Sequence, residues 1–471
     1  MNSTPQLRRV LTFRDLFLYY IATGLSLRWV ATAAAVGPSA LVIWVMTGLL
    51  LFVPLVFTVL ELSSRYPEEG GMYVWSKRAF GPFAGFMTGW TYWGSNLPYF
   101  PGLLYFAAAN ALFIGGPAWQ SWSSNSTYFI IVAMSGLAIA VSMNVVGLNI
   151  GKWLTNIGAT ALWLAAGALI VLGIMSWFKF GSATTITPAS LIPTLSVKDV
   201  IFWSTIAFAY AGVESASTMG DEIEDARRTL PRALLAAGVV ITVLYIAGTY
   251  CILIALPKEQ VSGLQGIMQA IQTLSGRVGV PWLPPVMAAL LTINAIGGVG
   301  GWFAATARLP FVAGVDRFLP PAFGSLHPRW RTPYVALLVQ AVIAGLFVFL
   351  GQTGTSVRGA YEVLVSMAII GQFIPYLYMF AAMIKVQREP ASREVILVPG
   401  GRPVAITFGV LGFLTSAAAI LLACVPSDEE PDKTLAVVKV VGSSLVLLAV
   451  GVAVYLLGQR RARSKPEAVG S

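Results

Sequence analysis

Phe208-Ala209-Tyr210-Ala211-Gly212-Val213-Glu214-Ser215 decides how this chain must be read. A glycine able to open a helix stands two residues before a carboxylate, and both lie inside the apolar run from Val200 to Met219. A charge at the centre of a bilayer costs about 2.5–3.5 kcal/mol on insertion scales, so it persists only with a partner, a water-filled cavity or a bound molecule. The plain reading of Glu214 is a permanent ion pair, or a protonated acid that braces helix packing. The sharper reading is a carboxyl able to take up and release a proton as its surroundings change.

Working outward, the same apolar character covers the chain. Of 471 residues, 57% are hydrophobic and only 11% charged, too little polar surface for a soluble protein of this length. A bilayer core takes about 20 apolar residues per helix. About twelve such stretches can be placed, at 15–39, 41–63, 82–113, 128–146, 153–177, 199–220, 233–256, 282–307, 333–351, 359–384, 403–424 and 436–457. The expected class is an all-α polytopic membrane protein. Spans 1 and 2 are nearly continuous, divided only by the turn signal Gly37-Pro38-Ser39. Arg8, Arg9 and Arg14 precede span 1, but no small-residue cleavage site follows a short apolar core, so no cleaved leader is expected.

The net charge of +10 reports topology, with no nucleic-acid partner. With the N-terminus in the cytoplasm, Arg65, Lys77, Arg78, Arg227, Arg228, Arg308, Arg317, Lys385, Arg388 and the tail arginines fall on that side. The other side keeps a thin scatter that includes Lys179, Lys258, Arg277 and Lys433. This positive-inside pattern places both termini in the cytoplasm. Cys251 and Cys424 both lie in or at apolar spans, and His327, the single histidine, sits in a polar loop. No disulfide framework, metal centre, cofactor site or nucleophile constellation is therefore expected, and an intramembrane enzyme is the least supported reading.

A second charge is as misplaced as Glu214. Span 1 reads Ile21-Ala22-Thr23-Gly24-Leu25-Ser26-Leu27-Arg28. If the helix opens near Ala22–Gly24, the following amides point toward the membrane centre, a ready site for a carboxylate. Gly24 read alone is equally a packing residue. Arg28 in the first turn of a half-helix opposes the dipole and needs a compensating anion: Glu214, a substrate carboxylate, or carbonyls of a preceding half-helix. Spans 1 and 6, which carry these features, lie five helices apart. Two inverted five-helix repeats, each beginning with a broken helix, have this spacing and bind substrate where the breaks meet.

The expected organisation is a cytoplasmic N-terminus over 1–14 and a single membrane domain over 15–457. Repeat one covers about 15–177, repeat two about 199–384, and two peripheral helices follow over 403–457. The basic tail runs over 458–471. Lys258 to Pro281 reads as one or two short surface helices over an outer vestibule. Among the aromatics, Tyr92, Phe208, Tyr210, Tyr376 and Trp302 fall within spans. Trp302 sits behind Gly297-Gly298-Val299-Gly300-Gly301, where a bulky ring on a glycine-thinned helix suits a movable lid.

Several ordered motifs carry a resemblance. Glu61-Leu62, then Tyr66 to Trp75, then Phe80-Gly81-Pro82-Phe83-Ala84-Gly85-Phe86, resemble the helix 2–3 signature of the amino acid–polyamine–organocation transporters. Gly212 to Ser217 followed by Glu224 to Pro231 looks like that family's broken helix 6 and its exit loop. Gly301-Trp302, Asp316 to Phe323 and Thr332-Pro333 are similar to its helix 8–9 region. Ser26-Leu27-Arg28, Pro98 to Ala107 and Val398-Pro399-Gly400-Gly401 resemble the glutamate:GABA antiporter branch. By this resemblance Ala22, Thr23 and Gly24 would bind the substrate carboxylate. Phe208 would be an outer gate, Ala211-Gly212 the helix 6 break, Trp302 an inner gate, and Glu214 the acid coupling conformation to charge. Ser26, Arg28 and Tyr92 complete the expected substrate-binding set. Leu162 stands where some proton-coupled members carry a lysine, so that device is not implied.

The resulting expectation is a secondary transporter of the cell membrane, working by alternating access as a monomer or homodimer. It would exchange an acidic or neutral amino acid for its amine or another amino acid, with proton coupling left open. A polyamine or cationic amino acid importer of the same fold is one alternative. A transport-inactive sensor, or a subunit of a heteromeric complex, is another.

Overall fold

In a computed structural model of the chain, residues 12–66, 70–146, 148–194, 197–214, 226–315, 318–392, 395–426 and 432–463 are described. Every regular element among them is helical. The first apolar run is two helices, α1 (Phe13–Gly24) and α2 (Leu27–Val36). Gly37, at φ 102°, then turns the chain into α3 (Ser39–Arg65), so the expected Gly-Pro-Ser turn stands where the sequence puts it. An L side chain at Gly37 would be strained, and its Cβ would also lie 2.8 Å from Cδ of Lys258.

Helix α3 contains a π-turn at Gly48–Phe52. The wider winding displaces backbone carbonyls from the regular ladder, and side chains distant in sequence supply hydrogens nearby. Tyr210 Oη donates to the carbonyl of Trp44 at 3.0 Å, and Thr415 Oγ1 reaches that of Leu50 at 3.4 Å.

The chain continues through α4 (Met72–Phe80), α5 (Pro82–Ala111), α6 (Ser126–Val146), α7 (Leu148–Phe180) and α8 (Val197–Phe208). It then forms α9 (Ala226–Ala255), α10 (Gly266–Val278), α11 (Leu283–Val315) and α12 (Tyr334–Gln352). Helices α13 (Val357–Val386), α14 (Gly401–Ala423) and α15 (Lys433–Arg461) complete it. The second π-turn, Val438–Gly442, lies in α15.

Nine helices among the described residues are long and apolar enough to cross a membrane. The other three expected spans differ for separate reasons. The first is divided into α1 and α2. The third, α5, carries Ser95, Asn96 and Asn110 in its interior, which lower its apolar character. The sixth ends as regular helix at Phe208. The expected surface helices at 258–281 are a 3₁₀ turn, Lys258–Gln260, and α10, whose Met268, Ile271 and Leu274 are buried.

The chain forms two compact units. The first takes residues 1–88, 169–274 and 372–423, the second 89–168, 275–371 and 424–471. Within the first, α1 and α2 both lie along α9. Within the second, α6 packs against α11 and α12.

A buried carboxylate ties down one edge of the first unit. Glu61, near the end of α3, is 1% exposed and accepts from Arg65 Nε and Nη2 at 3.0 and 2.8 Å. It also accepts from Gln387 Nε2 at 2.7 Å and the amide of Val398 at 3.2 Å, while Ser64 Oγ accepts from the amide of Ile396. The segment after α13 is thereby stitched to the end of α3. Removing one member of such a buried set leaves the others desolvated and unmatched, at about 3–5 kcal/mol. Glu61→Ala should therefore lower the thermal unfolding midpoint in detergent by several degrees. An unchanged midpoint would show the stitch to be dispensable.

Candidate functional site

In the first unit, the break in the first apolar run falls at Leu25–Ser26. The amide of Leu25 still bonds the carbonyl of Ile21 at 3.1 Å, and Ser26 is extended at φ −133° and ψ 115°. The expected opening at Ala22–Gly24 is thus corrected by one to two residues. Ala22, Thr23 and Gly24 form the last turn of α1, and the side chains of Ala22 and Thr23 lie outside the described part. The physical reason is Tyr245 of α9, 0% exposed. Its hydroxyl donates to the carbonyl of Gly24 at 2.8 Å and accepts from the amide of Ser26 at 3.2 Å. These are two backbone groups that a continuous helix would have used itself.

The second break begins where α8 stops at Phe208. The next residues wind tightly, with the amide of Tyr210 on the carbonyl of Ala207 at 3.1 Å and that of Ala211 on Phe208 at 3.0 Å. Gly212 then takes φ 114°, which a side chain would oppose. The rest of the expected span, 215–220, and the start of the exit loop that follows it, through 225, lie outside the described residues. The Tyr245 hydroxyl is also 3.3 Å from the carbonyl of Ala209, so one phenol touches both breaks.

Glu214, 3% exposed, is held by three donors. Tyr376 Oη donates to Oε2 at 2.5 Å, the amide of Gly212 to Oε2 at 2.9 Å, and Gln372 Nε2 to Oε1 at 3.0 Å. The carboxylate folds back onto its own turn and joins it to α13. Arg28 is 1% exposed in the first turn of α2, with its guanidinium 3.9 Å from the Trp29 ring centre.

Between these two charges runs a series of rings. Trp29 meets Phe208 edge-on at 5.4 Å, Phe208 meets Phe373 at 6.5 Å, and Phe373 meets Tyr376 at 5.5 Å. The structure therefore brings Gly24, Ser26, Arg28, Phe208, Ala211, Gly212 and Glu214 into one unit. Gly24, Ala211 and Gly212 line a cavity of about 20 Å³ together with Phe52, Tyr210 and Ile241, room for about one water.

Tyr92 and Trp302 belong to the second unit. Trp302 Nε1 donates to Asn96 Oδ1 at 2.6 Å, and Asn96 Nδ2 donates to the carbonyl of Tyr92 at 2.7 Å. Behind it, Gln340 Oε1 accepts from Trp93 Nε1 at 2.8 Å while Gln340 Nε2 donates to the carbonyl of Phe303 at 3.1 Å. The glycines before Trp302 stay within α11. A Cβ on Gly158 of α7 would come within 3.4 Å of Gly297 Cα, and Asn144 donates to the carbonyl of Gly300. Close helix approach accounts for part of the thinning that the sequence suggests for a lid.

Three residues of this arrangement, Tyr245, Gln372 and Asn96, are not singled out by the sequence, and neither is the structural role of Tyr376. Gln372 and Tyr376 had a readable signal, since polar groups at i and i+4 in an apolar span share one helix face. Tyr245 had none, because a lone tyrosine in a membrane helix is usually packing.

A helix interrupted at Leu25–Ser26 and a second that stops at a glycine turn inside an apolar run, each with a buried ionisable group nearby, fit the broken-helix construction found in membrane transporters. The chain belongs to the amino acid permease family, whose sequence profile matches residues 11–454. An uncharacterized transporter of Legionella pneumophila is 26% identical over 91% of this chain and 92% of its own length. A probable agmatine/putrescine antiporter of Lactococcus lactis is 21% identical over 89% of both chains. A glutamate/serine transporter of Bacillus subtilis is 24% identical over 68% of this chain and 61% of its own.

Proposed function

We propose that this protein is a secondary transporter that exchanges an amino acid for its amine, or for another amino acid, across the cell membrane by alternating access. The observation that carries this reading is the pair of helix breaks meeting at one side chain, Tyr245, beside the buried Glu214. Relatives naming amines and relatives naming glutamate or serine support a substrate from those classes. In this reading Ala22, Thr23, Gly24, Ser26 and Arg28 surround the substrate carboxylate from the α1–α2 break. Ala211 and Gly212 face its amine, and Tyr92 is assigned to the same substrate-binding set. Phe208 and Trp302 occlude the site in turn, and Glu214 couples occupancy to conformation. In the same reading the membrane domain divides into two five-helix repeats and two peripheral helices with both termini cytoplasmic, which the spacing of the breaks and the lysine and arginine distribution support. The transporter works as a monomer or homodimer.

A thermal-shift screen of the purified protein against amino acids, their amines and polyamines should identify ligands, and counterflow in proteoliposomes should show exchange between them. Stabilisation without flux would sink the transport reading and favour a sensor. Arg28 gives a selectivity test. Arg28→Ala should weaken competition by glutamate and aspartate by about tenfold, the scale of one charge-assisted contact at about 1.4 kcal/mol, and leave neutral amino acids nearly unaffected. An unchanged competition panel would make Arg28 structural.

A further inference from the structure

We propose that Tyr245 is a positioning residue whose hydroxyl sets the spacing of the two helix breaks and thereby aims the N-terminus of α2 at a substrate carboxylate; this rests on the transport reading above. The geometry is specific to the hydroxyl. It donates to the carbonyl of Gly24, the last residue of α1, and lies within reach of the carbonyl of Ala209, the first residue past α8. It accepts from the amide of Ser26, the residue that caps α2. Three backbone groups on three sides of two interruptions therefore converge on one oxygen.

The phenol itself has little freedom to move. Its ring stacks on Trp44 at 4.3 Å with 10° between planes, and meets Tyr210 edge-on at 6.1 Å. Trp44 is held in turn by its indole nitrogen on Thr249 Oγ1 at 3.0 Å, and Thr249 sits one turn beyond Tyr245 on the same helix. Tyr210 Oη is anchored on the carbonyl of Trp44 and on Thr242 Oγ1 at 2.9 Å. Helix α9 thus supplies Thr242, Tyr245 and Thr249 from one face to a single aromatic cluster. Rigid support of this kind holds a binding geometry within the fraction of an ångström that hydrogen-bond recognition needs.

Removing the hydroxyl leaves the packing and releases the breaks. A carboxylate bound by helix-terminal amides depends on where the α2 terminus points, whereas an amine bound elsewhere does not. The selective consequence separates positioning from simple stability.

The test compares ligands that differ by an α-carboxylate: L-arginine with agmatine, L-ornithine with putrescine, and L-glutamate with 4-aminobutyrate. Affinities are measured on purified full-length protein for wild type, Tyr245→Phe and Trp44→Phe. In Tyr245→Phe the amino acid of the bound pair should lose about tenfold in affinity while its decarboxylated partner changes by less than about threefold, the pattern of lost preorganisation at one end of the ligand. Trp44→Phe, which keeps the hydroxyl but weakens its support, should show the same preference at smaller size. Equal losses for both members of the pair, or none, overturn the inference and leave the transport reading standing. Should Tyr245→Phe fail to fold, an unaltered preference in Trp44→Phe overturns it instead. Wild-type protein that binds no member of these pairs and no ligand of the thermal-shift screen overturns the transport reading and this inference with it.

Discussion

Glu214→Ala should abolish flux and destabilise the protein by at least about 3 kcal/mol, because three donors aimed at the carboxylate lose their acceptor together. Tyr376, Gln372 and the amide of Gly212 converge on it from α13 and from its own turn. Water reaches a 3%-exposed group too poorly to replace it. Glu214→Gln separates shape from charge. A glutamine side chain can still accept from Tyr376 and Gly212 through its oxygen, and Gln372 can turn its amide so that oxygen faces the new NH2 group. That variant should fold, with an unfolding midpoint close to wild type. It cannot exchange a proton, so its uptake in proteoliposomes should follow a flat pH profile. A profile that matches wild type would remove Glu214 from coupling and leave it a brace between the helix break and α13.

Trp302→Ala is the second large effect. The indole is fixed by a 2.6 Å hydrogen bond to Asn96, and Asn96 is fixed by the carbonyl of Tyr92 one turn earlier on α5. A side chain that closes a site changes how fast the protein cycles more than how well the open site binds. Flux should therefore fall by at least about tenfold, equivalent to about 1.4 kcal/mol on the limiting step, with affinity held within about threefold. Trp302→Phe keeps a ring and loses the hydrogen bond, and should lie between. Equal losses in flux and affinity would assign Trp302 to binding and deny it the role of a gate.

Most of the architecture could be read without coordinates, and the reason is physical. A bilayer leaves few solutions for an apolar chain, so helix positions follow from where apolar runs stop. Gly37-Pro38-Ser39 marks the turn between α2 and α3, and Gly212 marks the second break. A buried charge is legible because it is expensive, which is why Arg28 and Glu214 stand out. What could not be read is pairing across sequence distance. Tyr245 lies 221 residues from the carbonyl it binds on Gly24, and no local rule links the two. The one- to two-residue error in the first break has the same source: a residue on α9 decides where α1 ends. Trp302 was legible as unusual, but its partner Asn96 lies 206 residues away.

The π-turns at Gly48–Phe52 and Val438–Gly442 have a bearing on chain length itself. Each such turn holds one residue more than the α-helical path between the same two points, and it rotates everything before it by about 100° relative to everything after it. Helix α3 therefore presents one stripe of side chains up to Thr47 and a different stripe from Val53 onward. A sequence one residue shorter in this interval could run as uninterrupted α-helix while keeping both flanking stripes in place. Alignments of relatives should accordingly show single-residue gaps at these two intervals, marking where the helix has been wound one way or the other.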